Sequence, residues 1–291
     1  MLNIKTVHFW KPLLSVILWG ASFIATKIAL KELQPLVIIL IRQLLGISLL
    51  VFIALKQKRS FKVSLKDQLG ILILALIASI HLGIQVTGLQ FTTATNTGWI
   101  IGITPVFMGI LGLIFFKERI SLIQSIGIII SFVGLLLLVS KGNLMTIDFI
   151  SNKGDFLVLG SAFTWSIYSL VGKKVTINYS PLMTILFLFV TMSILIAPFT
   201  INDTNINAVL NLSLESWLAI FFLGFFCSGI AYVLWAQAMN EMKASQVGAF
   251  LYIEPFVTVF AARFILNEQI TLLTILSGLI IIGGIVLVNR K

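Results

Sequence analysis

One carboxylate, Glu254, stands in the middle of a long apolar run and directly precedes Pro255. A charged side chain at the centre of a bilayer costs at least about 2.5 kcal/mol unless it is neutral, paired or facing water. Two interpretations follow. Glu254 binds a substrate amine or carries a proton, or its carboxyl caps backbone groups that Pro255 leaves unpaired.

Three further ionisable side chains lie in apolar surroundings: Lys27, Arg42 and His81. Either cation could pair with a substrate carboxylate, although Lys27 could equally extend its ammonium to the membrane surface. His81 has no second histidine near it in the sequence, and we favour a hydrogen-bonded interior group over a proton relay.

Aromatic and amide side chains supply the remaining candidates. Aromatic residues of membrane proteins prefer the interfaces, so those inside apolar runs are predicted to line a cavity that receives an apolar or aromatic group, with packing against lipid as the alternative. Amides inside such runs are predicted to face the protein interior. The candidate substrate-binding residues are Trp19, Gln85, Asn96, Trp99, Trp165, Tyr168, Trp235, Gln246, Tyr252 and Glu254.

The composition indicates which elements must position these residues. Apolar residues make up 59% of the 291 positions and charged residues only 10%, whereas soluble domains carry roughly 25% charged residues. The chain is therefore predicted to be an integral membrane protein. The net charge is +10. The basic residues that produce it lie between the apolar runs, where they orient membrane spans, so we expect no nucleic-acid partner. The single cysteine, Cys227, excludes a disulfide within the chain, and we predict no metal site and no cofactor.

A membrane helix needs about 20 largely apolar residues, and the sequence contains ten such stretches. They are too long for barrel strands, which predicts an all-α protein with ten transmembrane helices. The predicted spans are Pro12–Leu30, Pro35–Leu55, two helices within Gln68–Phe116 that turn at Thr92–Asn96, Ile120–Ser140, Phe156–Gly172, Pro181–Phe199, Trp217–Gln237, Ala244–Leu266 and Leu272–Val288. If the ten spans are traced through the membrane, fourteen Lys and Arg residues lie on the side of the two termini and about five on the opposite side. Cytoplasmic segments carry the excess of Lys and Arg, so both termini are predicted to be cytoplasmic.

The two halves of the chain resemble each other. A shift of 150 residues aligns Ala94–Val139 with Ala244–Asn289 without a gap, and ten of the 46 pairs are identical. A shift of 146 residues pairs Trp19 with Trp165 and Lys27 with Lys173. The sequence thus predicts two repeats, 1–142 and 143–291. Because each repeat holds five spans, the second must insert upside down, which is an arrangement typical of secondary transporters.

These residues resemble the EamA domain of the drug/metabolite transporter superfamily. The resemblance rests on Trp19-Gly20-Ala21-Ser22-Phe23 with Lys27, Pro35 and Arg42, on Ile103-Thr104-Pro105 leading to Lys117-Glu118-Arg119, and on a second copy with Ile253-Glu254-Pro255, Glu268 and Gly284. The second copy departs from the pattern at Ser166 and Phe187–Phe189. The resemblance implies a ten-helix plasma-membrane carrier that exports amino acids or related metabolites. For Glu118 and Glu268 we predict a structural role.

Transport is accordingly the first hypothesis: a secondary transporter that moves small metabolites by alternating access and exports amino acids or related amphiphilic solutes. One alternative is uptake or exchange of a nucleotide-like or other metabolite. Another is a membrane-embedded enzyme that modifies lipids, which the widely scattered acidic residues disfavour. The chain lacks a GxxxxGK[ST] phosphate-binding loop, so direct use of ATP is not predicted. The expected partners are a small-molecule substrate and the lipid bilayer, with no nucleic acid, and the protein is predicted to be a monomer or a homodimer.

Overall fold

A computed structural model describes residues 9–116, 120–140, 152–175, 179–266 and 272–289. Every regular element in these ranges is helical, as the long apolar runs predict. The helices are α1 Trp10–Ala29, α2 Pro35–Lys56, α3 Leu65–Phe91, α4 Ala94–Ile101, α5 Thr104–Phe116, α6 Leu122–Ser140, α7 Lys153–Val175, α8 Pro181–Thr200, α9 Asp203–Leu210, α10 Leu214–Phe221, α11 Tyr232–Glu241, α12 Ala244–Ala249, α13 Ile253–Leu266 and α14 Leu272–Val288.

Eight stretches among the described residues are long and apolar enough to cross a membrane. Five are single helices (α1, α2, α3, α7 and α8), and three combine consecutive segments: α4 with α5, α10 through α11, and α12 with most of α13. The apolar stretches of α6 and α14, Leu122–Leu137 and Ile275–Val288, are shorter. A multi-pass membrane protein is therefore confirmed, whereas the count of ten spans stays a prediction.

Local sequence signals start several of these helices where the sequence predicts a boundary. Pro35 and Pro181 occupy the first turn of α2 and α8, where a missing N–H costs nothing. The predicted turn between the third and fourth spans lies at Thr92 and Thr93, between α3 and α4. There the Thr93 side chain accepts a hydrogen bond from the Asn96 N–H at 3.0 Å, which caps α4.

Both halves contain a helix that is interrupted just before a proline. Gly102 and Ile103 separate α4 from α5 ahead of Pro105. The 3-10 turn Phe250–Tyr252 separates α12 from α13 ahead of Pro255. Proline removes one helical hydrogen bond and its ring clashes with the preceding turn, so the interruptions follow from the sequence. The second one places Glu254 at the start of α13.

A ten-residue π-helix, Phe222–Ala231, connects α10 to α11. It packs against α2, where a Cβ added at Gly224 would lie 2.5 Å from the Leu45 Cβ and one added at Gly46 would lie 3.2 Å from the Ser228 Cβ. Small residues therefore allow α2 and the π-helix to approach closely. This π-helix was not predicted from the sequence.

Contacts along α1 define its direction relative to the stretch Leu214–Glu241. Lys11 at the start of α1 forms an ion pair with Glu241. Beyond the end of α1, the Glu32 carboxylate accepts hydrogen bonds from the Ser213 N–H at 2.9 Å and the Ser213 hydroxyl at 2.5 Å. The two stretches therefore run antiparallel. We call the side with Lys11 and Glu241 the near end and the side with Glu32 and Ser213 the far end.

The helix α7 runs parallel to α11, because the Tyr168 and Tyr232 rings lie 6.1 Å apart and Lys173 donates to the Met242 carbonyl at 3.1 Å. Since α11 is antiparallel to α1, the helices α1 and α7 point in opposite directions. These are the helices whose tryptophan and lysine residues match in sequence.

The helices α6 and α14 pack closely on each other. A Cβ at Gly127 would lie 2.6 Å from the Gly284 carbonyl oxygen, and the Ser131 hydroxyl donates to the Ile281 carbonyl at 3.1 Å. The predicted structural residues Glu118 and Glu268 lie outside the described residues.

Candidate functional site

A central cavity lies where α1, α2, α3, α4, α7, α11 and α13 meet. Counted as the space open to the centre of a water molecule, its volume is about 40 Å³. One water needs roughly 10–15 Å³ on this measure. The cavity thus has room for a few water molecules but not for a metabolite, and a solute could enter only after the helices move.

Two charged side chains line this cavity, Arg42 on α2 and Glu254 on α13. Arg42 is 4% exposed and Glu254 is 3% exposed. The Arg42 Nε donates to the hydroxyl of Ser228, on the π-helix, at 2.9 Å. Among the described residues, the Glu254 Oε2 has no hydrogen-bond partner and no ion pair joins Arg42 to Glu254. The capping interpretation of Glu254 therefore gains no support, and two groups of opposite charge face one cavity separately.

Aromatic rings form one wall of the cavity and extend beyond it. We call Trp19, Trp165, Tyr168, Tyr232 and Trp235 the five-ring cluster. The ring centroids of Trp19 lie 4.8 Å from Trp165 and 5.3 Å from Trp235, and Trp165 stacks on Tyr168 at 5.1 Å. Such separations are within the favourable range for aromatic pairs, so the cluster is a continuous packed layer.

Hydrogen bonds orient two rings of the cluster. The Trp19 Nε1 donates to the Cys227 carbonyl of the π-helix at 3.0 Å. The Trp235 Nε1 donates to the hydroxyl of Ser169, on α7, at 3.1 Å. The second bond connects α11 with α7 across the cluster.

His81 on α3 lines the same cavity. Its Nδ1 lies 3.0 Å from the Ser161 carbonyl oxygen, and its ring centroid is 5.0 Å from that of Trp165. A carbonyl only accepts, so Nδ1 carries the proton of this bond. This contact fits the favoured interpretation of His81 as a hydrogen-bonded interior group.

A second cavity lies toward the near end, on the other side of the five-ring cluster. It is lined by polar groups of α7 and α8, namely Tyr168, Ser169, Lys173 and Thr184, and by Trp235. Its volume, on the same measure, is about 20 Å³. Tyr168 and Trp235 belong to both this cavity and the cluster, so the cluster separates the two cavities.

The structure brings six of the ten candidate residues to these two cavities. Trp19, Gln85, Trp165 and Glu254 line the central cavity. Tyr168 and Trp235 line the second one.

Asn96 and Gln246, two of the candidate substrate-binding residues, do not line either cavity. Both lie in the first turn of a helix. The Gln246 Oε1 accepts from the Lys243 N–H at 3.3 Å, and the Asn96 Nδ2 donates to the Asp155 Oδ1 at 2.6 Å. Helix starts leave backbone N–H groups unpaired, and the Gln246 side chain pairs one of them, whereas the Asn96 side chain binds a carboxylate of α7.

Trp99 and Tyr252 also lie away from both cavities. Tyr252 is fully buried in the 3-10 turn and Trp99 is half-buried on α4. Neither the Tyr252 hydroxyl nor the Trp99 Nε1 has a hydrogen-bond partner among the described residues.

Two residues of the site were not among the candidates. Tyr232 lines the central cavity, and its signal, an aromatic residue inside an apolar run, is the one that selected Trp235. Ser228 holds Arg42 and carries no such signal, because a serine inside an apolar run is common at helix contacts.

Comparisons with known proteins agree with this arrangement. The EamA-like transporter family matches the chain twice, over residues 9–140 and 152–290. An uncharacterized transporter of Archaeoglobus fulgidus is 32% identical over 282 residues, which cover 96% of each chain. A probable amino-acid metabolite efflux pump of Escherichia coli is 23% identical over 291 residues, which cover 94% of this chain and 91% of that protein.

A solved crystal structure superposes with a TM-score of 0.75 at 15% sequence identity, covering 98% of this chain and 97% of the other. At that identity the similarity establishes the fold alone. Together with the two family matches, it leads to one conclusion: this chain belongs to the EamA-like transporter family.

Proposed function

We propose that the protein is a secondary transporter that exports amino acids or related amphiphilic solutes across the plasma membrane by alternating access. The observation that carries this proposal is the separate placement of Arg42 and Glu254 on one buried cavity. A buried charge without a partner is strongly unfavourable. A solute that bears both charges would supply the missing partner of each.

An amino acid fits the chemistry of this cavity. Its carboxylate can form two parallel hydrogen bonds with the planar guanidinium of Arg42. Its ammonium can donate to the carboxylate of Glu254. The rings of Trp19, Trp165 and Tyr232 offer an apolar surface for the side chain, which favours solutes with a large apolar or aromatic group.

The proposed mechanism uses two inverted repeats of five spans each, with α6 and α14 as the fifth and tenth spans. The opposite directions of α1 and α7 support this architecture. Inverted repeats place a substrate site near the midplane where the halves meet. The excess of Lys and Arg on one side supports cytoplasmic termini, which makes the near end the cytoplasmic face. The small central cavity corresponds to a closed state of the cycle.

The name of the Escherichia coli relative, a probable amino-acid metabolite efflux pump, supports the substrate class. The site chemistry supports it independently, because a carrier of purely cationic or purely anionic solutes would leave Arg42 or Glu254 without a counter-charge.

The experiment that tests the proposal compares solutes that lack one charge. Purified protein in liposomes is given phenylalanine, phenylalanine amide and N-acetylphenylalanine in labelled form. We expect saturable transport of phenylalanine and at least about 10-fold slower transport of both derivatives, because each loses one charge-assisted hydrogen-bonded pair. Equal transport of all three would contradict the substrate assignment.

Two variants test separately which side chain recognises the carboxylate of the solute and which recognises its ammonium group. Arg42→Gln should reduce the discrimination against the amide, and Glu254→Gln should reduce the discrimination against the N-acetyl derivative. Arg59→Gln and Glu215→Gln make the same changes at exposed positions and should leave the selectivity unchanged. If Glu254→Gln instead abolishes the pH dependence of transport and keeps the discrimination, Glu254 carries a proton rather than the substrate amine.

A further inference from the structure

A tryptophan and a lysine are spaced identically in the two halves. Lys27 follows Trp19 by eight residues on α1, and Lys173 follows Trp165 by eight residues on α7. Eight helical residues span about 12 Å. The Trp19 and Trp165 rings meet at 4.8 Å while α1 and α7 run in opposite directions. The two lysines therefore lie on opposite sides of the tryptophan pair, Lys27 toward the far end and Lys173 toward the near end.

Lys173 provides the charge of the second cavity. Tyr168, Ser169 and Thr184 also line that cavity, together with apolar residues such as Leu74 and Ile185. The Lys173 Nζ donates to the Met242 carbonyl at 3.1 Å. An ammonium has three donors on a flexible stem, so this contact can be exchanged for one with a carboxylate.

The second cavity lies directly in front of the five-ring cluster. Trp235 forms part of both, and behind the cluster lies the central cavity with Arg42. A solute that approaches from the near end would therefore meet Lys173 first, then the rings, and then Arg42.

Lys27 occupies the corresponding position on the other side. It is half-buried in the last turn of α1 and forms no ion pair with any described residue. A cation is favourable at a helix C-terminus in general, yet that preference does not require the matched distance from the central tryptophan in both halves.

We infer that Lys173 and Lys27 are the entrance cations of one transport path, one at each end, which select solutes that bear a carboxylate and lead this group toward Arg42. The inference rests on the proposed function. A cation at the mouth of a cleft with low-dielectric walls raises the local concentration of anionic groups. Each lysine thus acts on solute that arrives from its own side.

The test measures transport separately from each face. Lys173→Met and Lys27→Met are assayed in membrane vesicles of both orientations with labelled phenylalanine. We expect Lys173→Met to raise KM about fivefold for solute offered at one face, and Lys27→Met to raise KM about fivefold at the opposite face. Because the transport equilibrium is unchanged, each variant should also lower the maximal rate of solute offered at the other face about fivefold, since that solute must leave past the substituted lysine. Phenylalanine amide, which lacks the carboxylate, should show no such change in KM.

Lys31→Met is the matched control, because Lys31 lies four residues beyond Lys27 at the far end and is exposed, 3.7 Å from Glu215. It should leave KM unchanged at both faces. Equal effects of one lysine variant on KM at both faces, or no effect of either on KM, would overturn the entrance assignment. Absence of saturable transport by the unsubstituted protein would instead contradict the proposed function itself.

Discussion

Arg42 and Glu254 can carry opposite charges and share a cavity, yet no ion pair joins them. A direct ion pair would satisfy both groups and would leave nothing for a solute to complete. Arg42 is instead held by the Ser228 hydroxyl of the π-helix, and Glu254 lies at a helix interruption on α13. The two side chains are separate because Arg42 lies on α2 and Glu254 lies on α13. This separation allows a solute with two charges to bind between them.

At the level of single residues, the sequence identifies groups that are costly in lipid. This criterion selected four residues that line the central cavity, namely Trp19, Gln85, Trp165 and Glu254. The same criterion also selected Gln246, which accepts a hydrogen bond from a backbone N–H at the start of α12 instead. A polar residue at a helix start and one that faces a cavity look alike in an apolar run, because the difference depends on helix boundaries that the sequence places only within a few residues.

The Glu32 carboxylate offers a pH-dependent test at the far end. Hydrogen bonds from the Ser213 side chain, the Ser216 side chain and the Ser213 N–H hold the pKa of this exposed carboxyl below its ordinary value. A lowered pKa stabilises the folded state above the ordinary pKa, and the stabilisation is lost as the pH falls through the lowered one. Glu32→Gln should therefore lower Tm in detergent at pH 7, and the difference from the unsubstituted protein should shrink below about pH 4.

Glu215→Gln is the control for this measurement. Glu215 faces Lys31 at 3.7 Å and both side chains are more than half exposed, so little change in Tm is expected. A difference for Glu32→Gln that stays constant from pH 7 to pH 3 would contradict the role of its ionised carboxylate.

At the level of elements, the prolines predict where helices are interrupted. Pro105 and Pro255 predict disturbed helices, and both helices are interrupted just before them. The π-helix Phe222–Ala231 could not be predicted, because its wider turn arises from close packing of its small residues on α2. Repetition of Trp19 and Lys27 as Trp165 and Lys173 predicted corresponding helices. The odd number of predicted spans in each repeat predicted their opposite directions, and the contacts of α7 with α11 agree with that prediction.

Neighbouring glycines of α14 test how closely α6 and α14 must approach. A Cβ at Gly284 would lie 2.5 Å from the Gly127 carbonyl oxygen and 2.7 Å from the Ser131 nitrogen, whereas a Cβ at Gly283 would meet nothing within 4 Å. Gly284→Ala should destabilise the protein by about 1–3 kcal/mol, the usual effect of overpacking. Gly283→Ala should be neutral or slightly stabilising.

Thermal unfolding in detergent measures both variants under identical conditions. A Tm decrease of several degrees is expected for Gly284→Ala alone. Equal Tm values for the two variants would mean that the α6–α14 contact does not restrict side-chain size.

At the scale of the whole molecule, two pairs of packed elements flank the central cavity, and the Trp235–Ser169 hydrogen bond connects them. The helix α1 is bound to the π-helix by Trp19 and to the far end of α10 by Glu32. The helix α3 is bound to α7, where the His81 Nδ1 contacts Ser161 and a Cβ at Gly88 would lie 2.9 Å from the Gly154 carbonyl oxygen. The central cavity lies between these pairs, and we expect transport to change their relative position.

Alternating access, the central claim, is tested most directly by counterflow in liposomes. Vesicles that contain the purified protein are loaded with unlabelled phenylalanine, and labelled phenylalanine is added outside. A carrier that exposes its site to one side at a time predicts saturable uptake of label, accelerated by internal phenylalanine, with the solute recovered chemically unchanged. Uptake that rises linearly with concentration and ignores internal phenylalanine, or a chemically altered solute, would contradict the account.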